Sequence, residues 1–428
     1  KVTGVQTCAL PISADQLTIN GGTLQSTATF AIDDTNRGIT LGAGGGTFNT
    51  NASTTLTVSS VIAGSGGLTK SGGSGTLVLT RTNTYTGSTT LLTGTTRIAS
   101  GGSIGVASAT AGSLQIGDRS TATLIVDAGG NLSVGSGASS TLYVGTRTTD
   151  TGSTATVGTL NLSAATQFTA NVGRFYIGVA DTASNIGTTR GIVTLAQNNT
   201  ITASTEILVG QMTPALANQS VVSELNFGSG INDITTPSLT IGSRKSAATS
   251  TIAAGGVLNL ANGAGKTNLF IGRNNNSGTS TDAAGNLDLT NGTFNATLGT
   301  VIIGERSNSS GGAADSSGTG SGTGTLTLGT ASHSITADSV MIGNLLARGS
   351  GTVVTQGTLN MAGGTFTVSG DVGIGIHTSS VATALSQGHL NLTGGTFTVG
   401  GNIITANKAT STSIVTLDGG TLDMTAGS

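Results

Sequence analysis

The chain has 428 residues, with 16 Lys and Arg against 18 Asp and Glu, and a formal net charge of −2. Charged residues make up only 8% of it and aromatic residues 3%, whereas 70 residues are glycine. This balance offers no basic surface for nucleic acid, and no run of 18 apolar residues supplies a membrane-spanning helix.

Residues 2–13 read VTGVQTCALPIS and break every pattern that follows. The string resembles the in-frame translation of a sequencing-adapter oligonucleotide. We therefore expect residues 1–13 to be a non-native tail, so that the natural segment contains no cysteine. The chain starts without Met and stops inside a repeat, at GGTLDMTAGS. We expect a fragment at both ends, in which a missing signal peptide carries no information.

A longer motif occupies residues 66–98, which read GGLTKSGGSGTLVLTRTNTYTGSTTLLTGTTRI. It resembles the autotransporter-associated β-strand repeat, with G-L-x-K-x-G followed by G-T-L-x-L and then N-x-Y-x-G-x-T. Arg81 and Thr96 depart from that pattern, standing where Gly and Leu are usual. The resemblance implies a β-helical segment of a large bacterial secreted or cell-surface protein, often the passenger of an autotransporter.

From residue 114 onward one short phrase recurs: an apolar residue, any residue, Ile or Val, then Gly. The nine glycines lie 28 to 39 residues apart, most often 32, at Gly117, Gly145, Gly178, Gly210, Gly242, Gly272, Gly304, Gly343 and Gly375. A period of this length predicts an array in which each unit stacks on the one before it.

Two further elements complete each unit. One is Gly-x-Leu-x-Leu, as in residues 158–162, 256–260 and 285–289; the other is a short alternation such as GTFTV at 364–368. Period-two alternation bounded by glycine is typical of strands with one buried face. About three short strands per coil predict an all-β, right-handed parallel β-helix, or β-solenoid.

The predicted organisation is a solenoid segment over 14–100 that includes the motif at 66–98, followed by an array of about 32-residue repeats over 101–428. Whether each repeat makes one coil or one and a half stays open at this level. The interior ladders that should stabilise the array are expected to include Leu160, Ile177, Leu258, Ile271, Leu287 and Ile303.

An arginine follows the repeat glycine in five units, at Arg119, Arg147, Arg244, Arg273 and Arg306. Stacking would place Arg244, Arg273 and Arg306 in a row, as an anion-binding strip for acidic glycans or lipopolysaccharide phosphate. The alternative is a set of solvated corner residues that discourage edge association.

The sequence shows no catalytic, cofactor-binding or metal-binding cluster. Asp33 and Asp34 are the only adjacent acids, and His333, His377 and His389 lack metal-ligand spacing and are expected to be exposed. We therefore predict a non-catalytic structural or adhesive stalk, extracellular or at the bacterial surface and associated with the outer membrane. It is expected to be monomeric and to contact surface or matrix glycans or neighbouring cells. The alternative is a polysaccharide-degrading β-helix enzyme, which would need convergent acids.

Overall fold

The structure is a computed structural model that describes residues 15–34, 37–105, 112–147, 155–180, 188–212, 222–275, 282–307, 320–346, 353–379 and 383–424. These residues form 34 β-strands, in one 31-stranded sheet and one 3-stranded sheet, and no α-helix. Their strands pair in parallel and the chain winds into a right-handed β-helix. The predicted fold class is confirmed. The expected tail at residues 1–13 lies outside the described residues.

The strands follow one another at short intervals. The first eleven are β1 (Asp15–Ile19), β2 (Gly22–Ser26), β3 (Phe30–Ile32), β4 (Gly38–Leu41), β5 (Gly46–Thr50), β6 (Thr55–Val58), β7 (Ile62–Gly64), β8 (Leu68–Gly72), β9 (Thr76–Leu79), β10 (Thr89–Leu91) and β11 (Gly94–Ile98). The next eleven are β12 (Leu114–Ile116), β13 (Thr121–Val126), β14 (Leu132–Val144), β15 (Thr156–Asn161), β16 (Gln167–Ala180), β17 (Thr189–Thr194), β18 (Asn198–Met212), β19 (Val222–Phe227), β20 (Ile231–Thr235), β21 (Ser238–Arg244) and β22 (Ala247–Ile252). The last twelve are β23 (Val257–Ala261), β24 (Thr267–Asn274), β25 (Ala283–Leu289), β26 (Thr293–Arg306), β27 (Gly322–Leu328), β28 (Ser334–Leu345), β29 (Val354–Val368), β30 (Val372–His377), β31 (Leu385–Val399), β32 (Ile403–Ile404), β33 (Thr412–Leu417) and β34 (Thr421–Met424).

Each repeat of the array makes one full coil with three faces. The first face holds the Gly-x-Leu-x-Leu strands, the second the Phe-containing alternation and the third the phrases that end in Ile-Gly or Val-Gly. All nine phrases stack in register on the third face, through Ile116, Val144, Ile177, Val209, Ile241, Ile271, Ile303, Ile342 and Ile374. Val209 and Ile241, for example, are partners that stand 32 residues apart in the chain. The open question is settled in favour of one coil per repeat.

The interior ladders are buried as expected. All six candidates, Leu160, Ile177, Leu258, Ile271, Leu287 and Ile303, are 0% exposed. Burying one such side chain contributes about 1.5–3 kcal/mol relative to leaving it in water. Because every coil adds to the same ladders, the array is held by a continuous core rather than by separate globular ones.

One assignment within the repeat was wrong. Residues 256–260, read as a first-face element, form β23 of the second face, where Leu258 pairs with Asn232 and Phe294. The first-face strand of that coil is β22, in which Ser250 stands between Leu225 and Leu287. The Gly-x-Leu-x-Leu pattern suits either face, because both need alternate apolar residues after a tight corner.

The coils are shorter before residue 100. Leu68 pairs with Thr89, only 21 residues further on, and β9 pairs with β11. The motif at 66–98 therefore spans more than one coil, with its second half stacked on its first. Pairing continues from β10 to β12 and from β11 to β13, so no break in the sheet marks residue 101, and the division there stays a prediction.

Two glycines of each repeat meet where the third face turns into the next first face. A Cβ on Gly145, whose φ is +60°, would lie 1.9 Å from the carbonyl oxygen of Arg190, and one on Gly158 would lie 2.0 Å from the Gly145 nitrogen. Backbone packs directly on backbone at this corner. That contact explains why both the Ile-Gly and the Gly-x-Leu glycines recur.

Polar side chains interrupt the core at defined columns. On the second face Asn199 and Asn232 are buried and Asn199 Nδ2 donates to Asn232 Oδ1 over 2.7 Å. Asn232 also bonds both backbone groups of Gly228, four residues before it. On the third face Lys70 pairs with Leu91, and its Nζ donates to the carbonyl oxygens of Ser71 and Thr93. These groups are tolerated inside because hydrogen bonds satisfy them.

Candidate ligand-binding cleft on the third face

The three arginines of the predicted strip do not form one row. Arg273 pairs with Ser243 and Glu305 in one column, whereas Arg244, the residue after Ser243, belongs to the next column, which also holds Arg306. The offset arises because Arg273 comes one residue after its repeat glycine and the other two come two residues after theirs. Arg306 is 1% exposed and so lies under the surface. The expected alignment was wrong, and anion binding by these residues stays a prediction.

Arg273 is held by its neighbours on both sides. Its Nε donates to Glu305 Oε1 over 2.8 Å, and its guanidinium lies 4.4 Å from the centre of the Phe270 ring. Glu305 is 1% exposed and also accepts hydrogen bonds from Ser307 Oγ and Asn344 Nδ2, at 2.6 and 3.2 Å. The buried carboxylate is thus satisfied from three successive coils.

Third-face strands carry an outward column that is mostly apolar. Its members pair in order as Tyr143, Tyr176, Leu208, Thr240, Phe270, Ile302 and Met341. Tyr143 and Tyr176 stack with their ring centres 5.3 Å apart, at an interplanar angle of 14°. We call this set the outer column. Its one small polar member is Thr240.

A cleft opens where Thr240 interrupts the outer column. Leu208 and Phe270 stand one strand to either side, about 10 Å apart at the usual strand spacing, and the space between them measures about 230 Å³. We call it the Thr240 cleft, and its walls include Glu206, Leu208, Thr240, Arg244, Phe270 and Asn275. The cleft contains two of the three predicted arginines, since Arg273 also lines it.

Some polar groups around the Thr240 cleft have hydrogen-bond partners within the protein and others do not. Glu206 accepts a hydrogen bond from the Tyr176 hydroxyl, and Gln211 accepts one from Ser243 Oγ at 3.3 Å. Arg244 Nε and Asn275 Oδ1 are buried and have no hydrogen-bond partner. The described residues place no carboxylate within 4.0 Å of Arg244, in contrast to Arg273.

Glu206 is the single carboxylate among the residues that line the Thr240 cleft. Most enzymes that cleave glycosidic bonds use a pair of carboxyl groups on either side of the bond. Within the described part of the chain, no three His, Cys, Asp or Glu side chains gather as metal ligands either. The arrangement is suited to hold a small polar ligand and lacks the acid pair of a hydrolase.

The other candidate residues lie elsewhere. Asp34 pairs with Arg37 at 2.9 Å on the surface, beside Asp33. His333 and His377 are 2% and 0% exposed, so their expected exposure was wrong. His333 accepts a hydrogen bond from the Phe294 amide at Nδ1 and bonds the Gly329 carbonyl oxygen through Nε2. That residue fills a structural role in the second-face column.

Four residues of the cleft were not predicted from the sequence: Glu206, Thr240, Phe270 and Asn275. The signal was present in the second letter of the recurring phrase, which reads Q, Y, Y, L, T, F, I, M and G in chain order. From the second Y to M this position is apolar in every repeat except the one that holds Thr240.

Part of the chain is similar to one bacterial adhesin. Over 111 residues it is 40% identical to the Adhesin BmaC autotransporter of Brucella suis biovar 1 (strain 1330). The matched part covers 26% of this chain and 3% of that adhesin, so the chain spans a small part of its relative. No family model and no solved structure matches. The similarity agrees with the surface-protein resemblance of residues 66–98, and the specific repeat family stays a prediction. Among the residues that the structure describes, no helix has the length and apolarity to cross a bilayer.

Proposed function

We propose that this chain is an adhesive, non-catalytic segment of a bacterial surface protein of the autotransporter passenger type. The observation that carries the proposal is the unbroken stacking of nine coils, whose third-face strands pair in register along the axis. A stiff array of this kind extends a surface away from the cell and repeats its contacts along the axis. The similarity to an autotransporter adhesin supports the same role.

Adhesion by such a surface rests on many weak contacts. The exposed parts of the coils are rich in Thr, Asn and Ser and poor in the aromatic and arginine side chains that dominate tight protein interfaces. Polar ladders on the first face, such as Asn391 Nδ2 donating to Asn360 Oδ1 at 2.9 Å, suit hydroxyl-rich partners. We propose surface or matrix glycans, on neighbouring cells among others, as partners of a monomeric solenoid exposed at the outer membrane. Multivalency then supplies the avidity.

Bead adhesion under flow tests this function. Beads that carry the full chain are passed over surfaces coated with pectin, alginate, hyaluronan, chitin or bacterial cells, and retention is counted against shear. We expect retention on at least one surface, rising steeply with the density of the protein. Beads carrying the heat-unfolded chain are the control. Retention equal to that control on every surface would overturn the proposal.

A further inference from the structure

We infer that the Thr240 cleft binds one uronate residue, an acidic sugar whose carboxylate meets Arg244 and whose hydroxyls meet Asn275 and Glu206. The inference rests on the proposed adhesive function and names the ligand class of one site on that surface. Shape, charge and hydrogen-bonding capacity each contribute to it.

The shape of the cleft favours a single ring. Its volume of about 230 Å³ lies below the range usual for pockets that enclose drug-sized ligands. Phe270 supplies a flat apolar wall, and Arg273 over its ring holds that wall in place. Thr240 leaves the floor open, where any of the bulky residues found elsewhere in the outer column would fill it.

The charge of the cleft favours an anion. Two other arginines of the array are paired with carboxylates, in the pairs Arg190–Glu224 and Arg273–Glu305. In the described residues Arg244 has no such pair, and its buried Nε lacks a hydrogen bond. A guanidinium binds a carboxylate through two parallel hydrogen bonds, which are among the strongest in proteins.

The hydrogen-bond acceptors Asn275 and Glu206, which line the cleft with Arg244, favour a ligand that also carries hydrogen-bond donors. Asn275 Oδ1 is buried without a partner. Glu206 Oε1 accepts a hydrogen bond from the Tyr176 hydroxyl, which leaves the second carboxylate oxygen to accept from a ligand. A buried acceptor left unpaired is unfavourable, so a ligand hydroxyl that donates to Asn275 Oδ1 removes that penalty on binding. A uronate offers a carboxylate and several hydroxyls on one ring, whereas a simple anion offers no donor.

Strand pairing disfavours a peptide as the ligand. The cleft lies on the face of a sheet, and β21, which carries Thr240, is paired with β18 on one side and β24 on the other. Extended peptides bind sheets by adding a strand to an unpaired edge. No such edge is available at the cleft.

The backbone conformation at Arg244 allows a substitution that removes the guanidinium and has a matched control elsewhere in the array. Arg244 and Arg119 have the same φ of +58° and the same place in their repeats, two residues after the glycine. Asn adopts this conformation more readily than Arg, so Arg244→Asn removes the guanidinium without straining the fold. Arg119→Asn makes the identical change at a position where the side chain is exposed and lies beside Asp118.

Calorimetry on the full chain with a galacturonate trisaccharide and its neutral galactose counterpart tests the site. We expect Arg244→Asn to weaken galacturonate binding about 10- to 100-fold, the loss of a charge-assisted bond, and to leave galactose binding unchanged. Thr240→Leu should abolish binding of both sugars, and Arg119→Asn should change neither. Circular dichroism confirms that each variant is folded.

Three results would overturn the inference. They are equal galacturonate affinity in the wild type and in Arg244→Asn, no binding of the wild type at millimolar sugar, and polyglutamate binding with the same dependence on Arg244. Bead adhesion separates this failure from that of the adhesive function. Adhesion that survives both Arg244→Asn and Thr240→Leu leaves the function standing and removes the cleft from it.

Discussion

Arg273 and Glu305 pair across the boundary between two coils, with Nε and Oε1 2.8 Å apart and the carboxylate almost fully buried. The pair fixes Phe270, because the guanidinium lies against its ring. Arg273 is thereby a structural cation that shapes the Thr240 cleft. Because Arg273 is paired with Glu305, Arg244 is the arginine of the cleft that we expect to bind an anionic ligand.

Arg273→Leu should destabilise the array by about 3 kcal/mol, since it leaves the Glu305 carboxylate buried with less compensation. Arg97→Leu is the control, because the Arg97–Asp127 pair is exposed, with 53% of the Arg97 side chain accessible, and exposed pairs contribute little to stability. Urea unfolding measures both. Equal losses in the two variants would show that the buried pair has no special role.

Gly145→Ala should be far more damaging than Gly255→Ala. Both glycines have positive φ, +60° and +79°, so the left-handed strain of about 1–2 kcal/mol is common to both. The new Cβ at position 145 would lie 1.9 Å from the Arg190 carbonyl oxygen, whereas nothing lies within 4 Å of one at position 255. Thermal unfolding should separate the two variants clearly. Similar melting temperatures would contradict close backbone packing at this corner.

Stability should fall as the pH drops below about 6.5. Burial lowers the pKa of His333 from its usual 6.5, against the opposing effect of its hydrogen bond to Gly329. The unfolded imidazole therefore takes up a proton at a higher pH than the folded one, so the contribution is complete above pH 6.5 and is lost below it.

His333→Asn is the matched variant for that prediction. Asn232, in the same column, already bonds the residue four positions before it, as His333 bonds Gly329. The variant should keep that bond and lose part of the slope of stability against pH between 6.5 and 5. Identical slopes, measured by urea unfolding at each pH, would rule out His333 as the titrating group.

At alkaline pH the stability should rise. Burial lowers the pKa of Lys70 from 10.5 to about 8, so between these values the unfolded chain holds a proton that the folded chain has released. Folding is then favoured progressively as the pH increases from about 8 to 10.5. Lys70→Leu places at this position the residue that Leu91 supplies in the next coil, and should flatten the rise. A rise of the same size in both proteins would assign it to another group.

The repeat and its coil could be predicted because the recurring phrase combines an inward Ile or Val with a glycine that only a tight corner requires. Ile241 and Gly242 show both features, the first 0% exposed and the second with φ +71°. Assignment of strands to faces was less secure. Leu258 was placed on the wrong face because Ser250 occupies the position where the pattern calls for Leu.

Side-chain partnerships could not be predicted in the same way. Burial of His333, which directly precedes β28, depends on the residues stacked on it in the neighbouring coils, and the sequence pattern alone predicts such a lone polar residue to be exposed. The prediction of one row of arginines was wrong because Arg273 comes one residue earlier after its glycine than the others do, which places its side chain in the neighbouring column. The cleft, by contrast, leaves a signal in the sequence, because Thr240 is a small polar residue where the neighbouring repeats have large apolar ones.

Binding of a uronate polymer and its cleavage can be followed in one experiment. Polygalacturonate is incubated with the full chain for several days while retention on the protein and the number of reducing ends are followed in the same sample. We expect retention with no increase in reducing ends, because Glu206 is the single acid lining the cleft. Reducing ends that increase in proportion to the protein, and that cease to increase in Glu206→Gln, would show an enzyme and contradict the adhesive account.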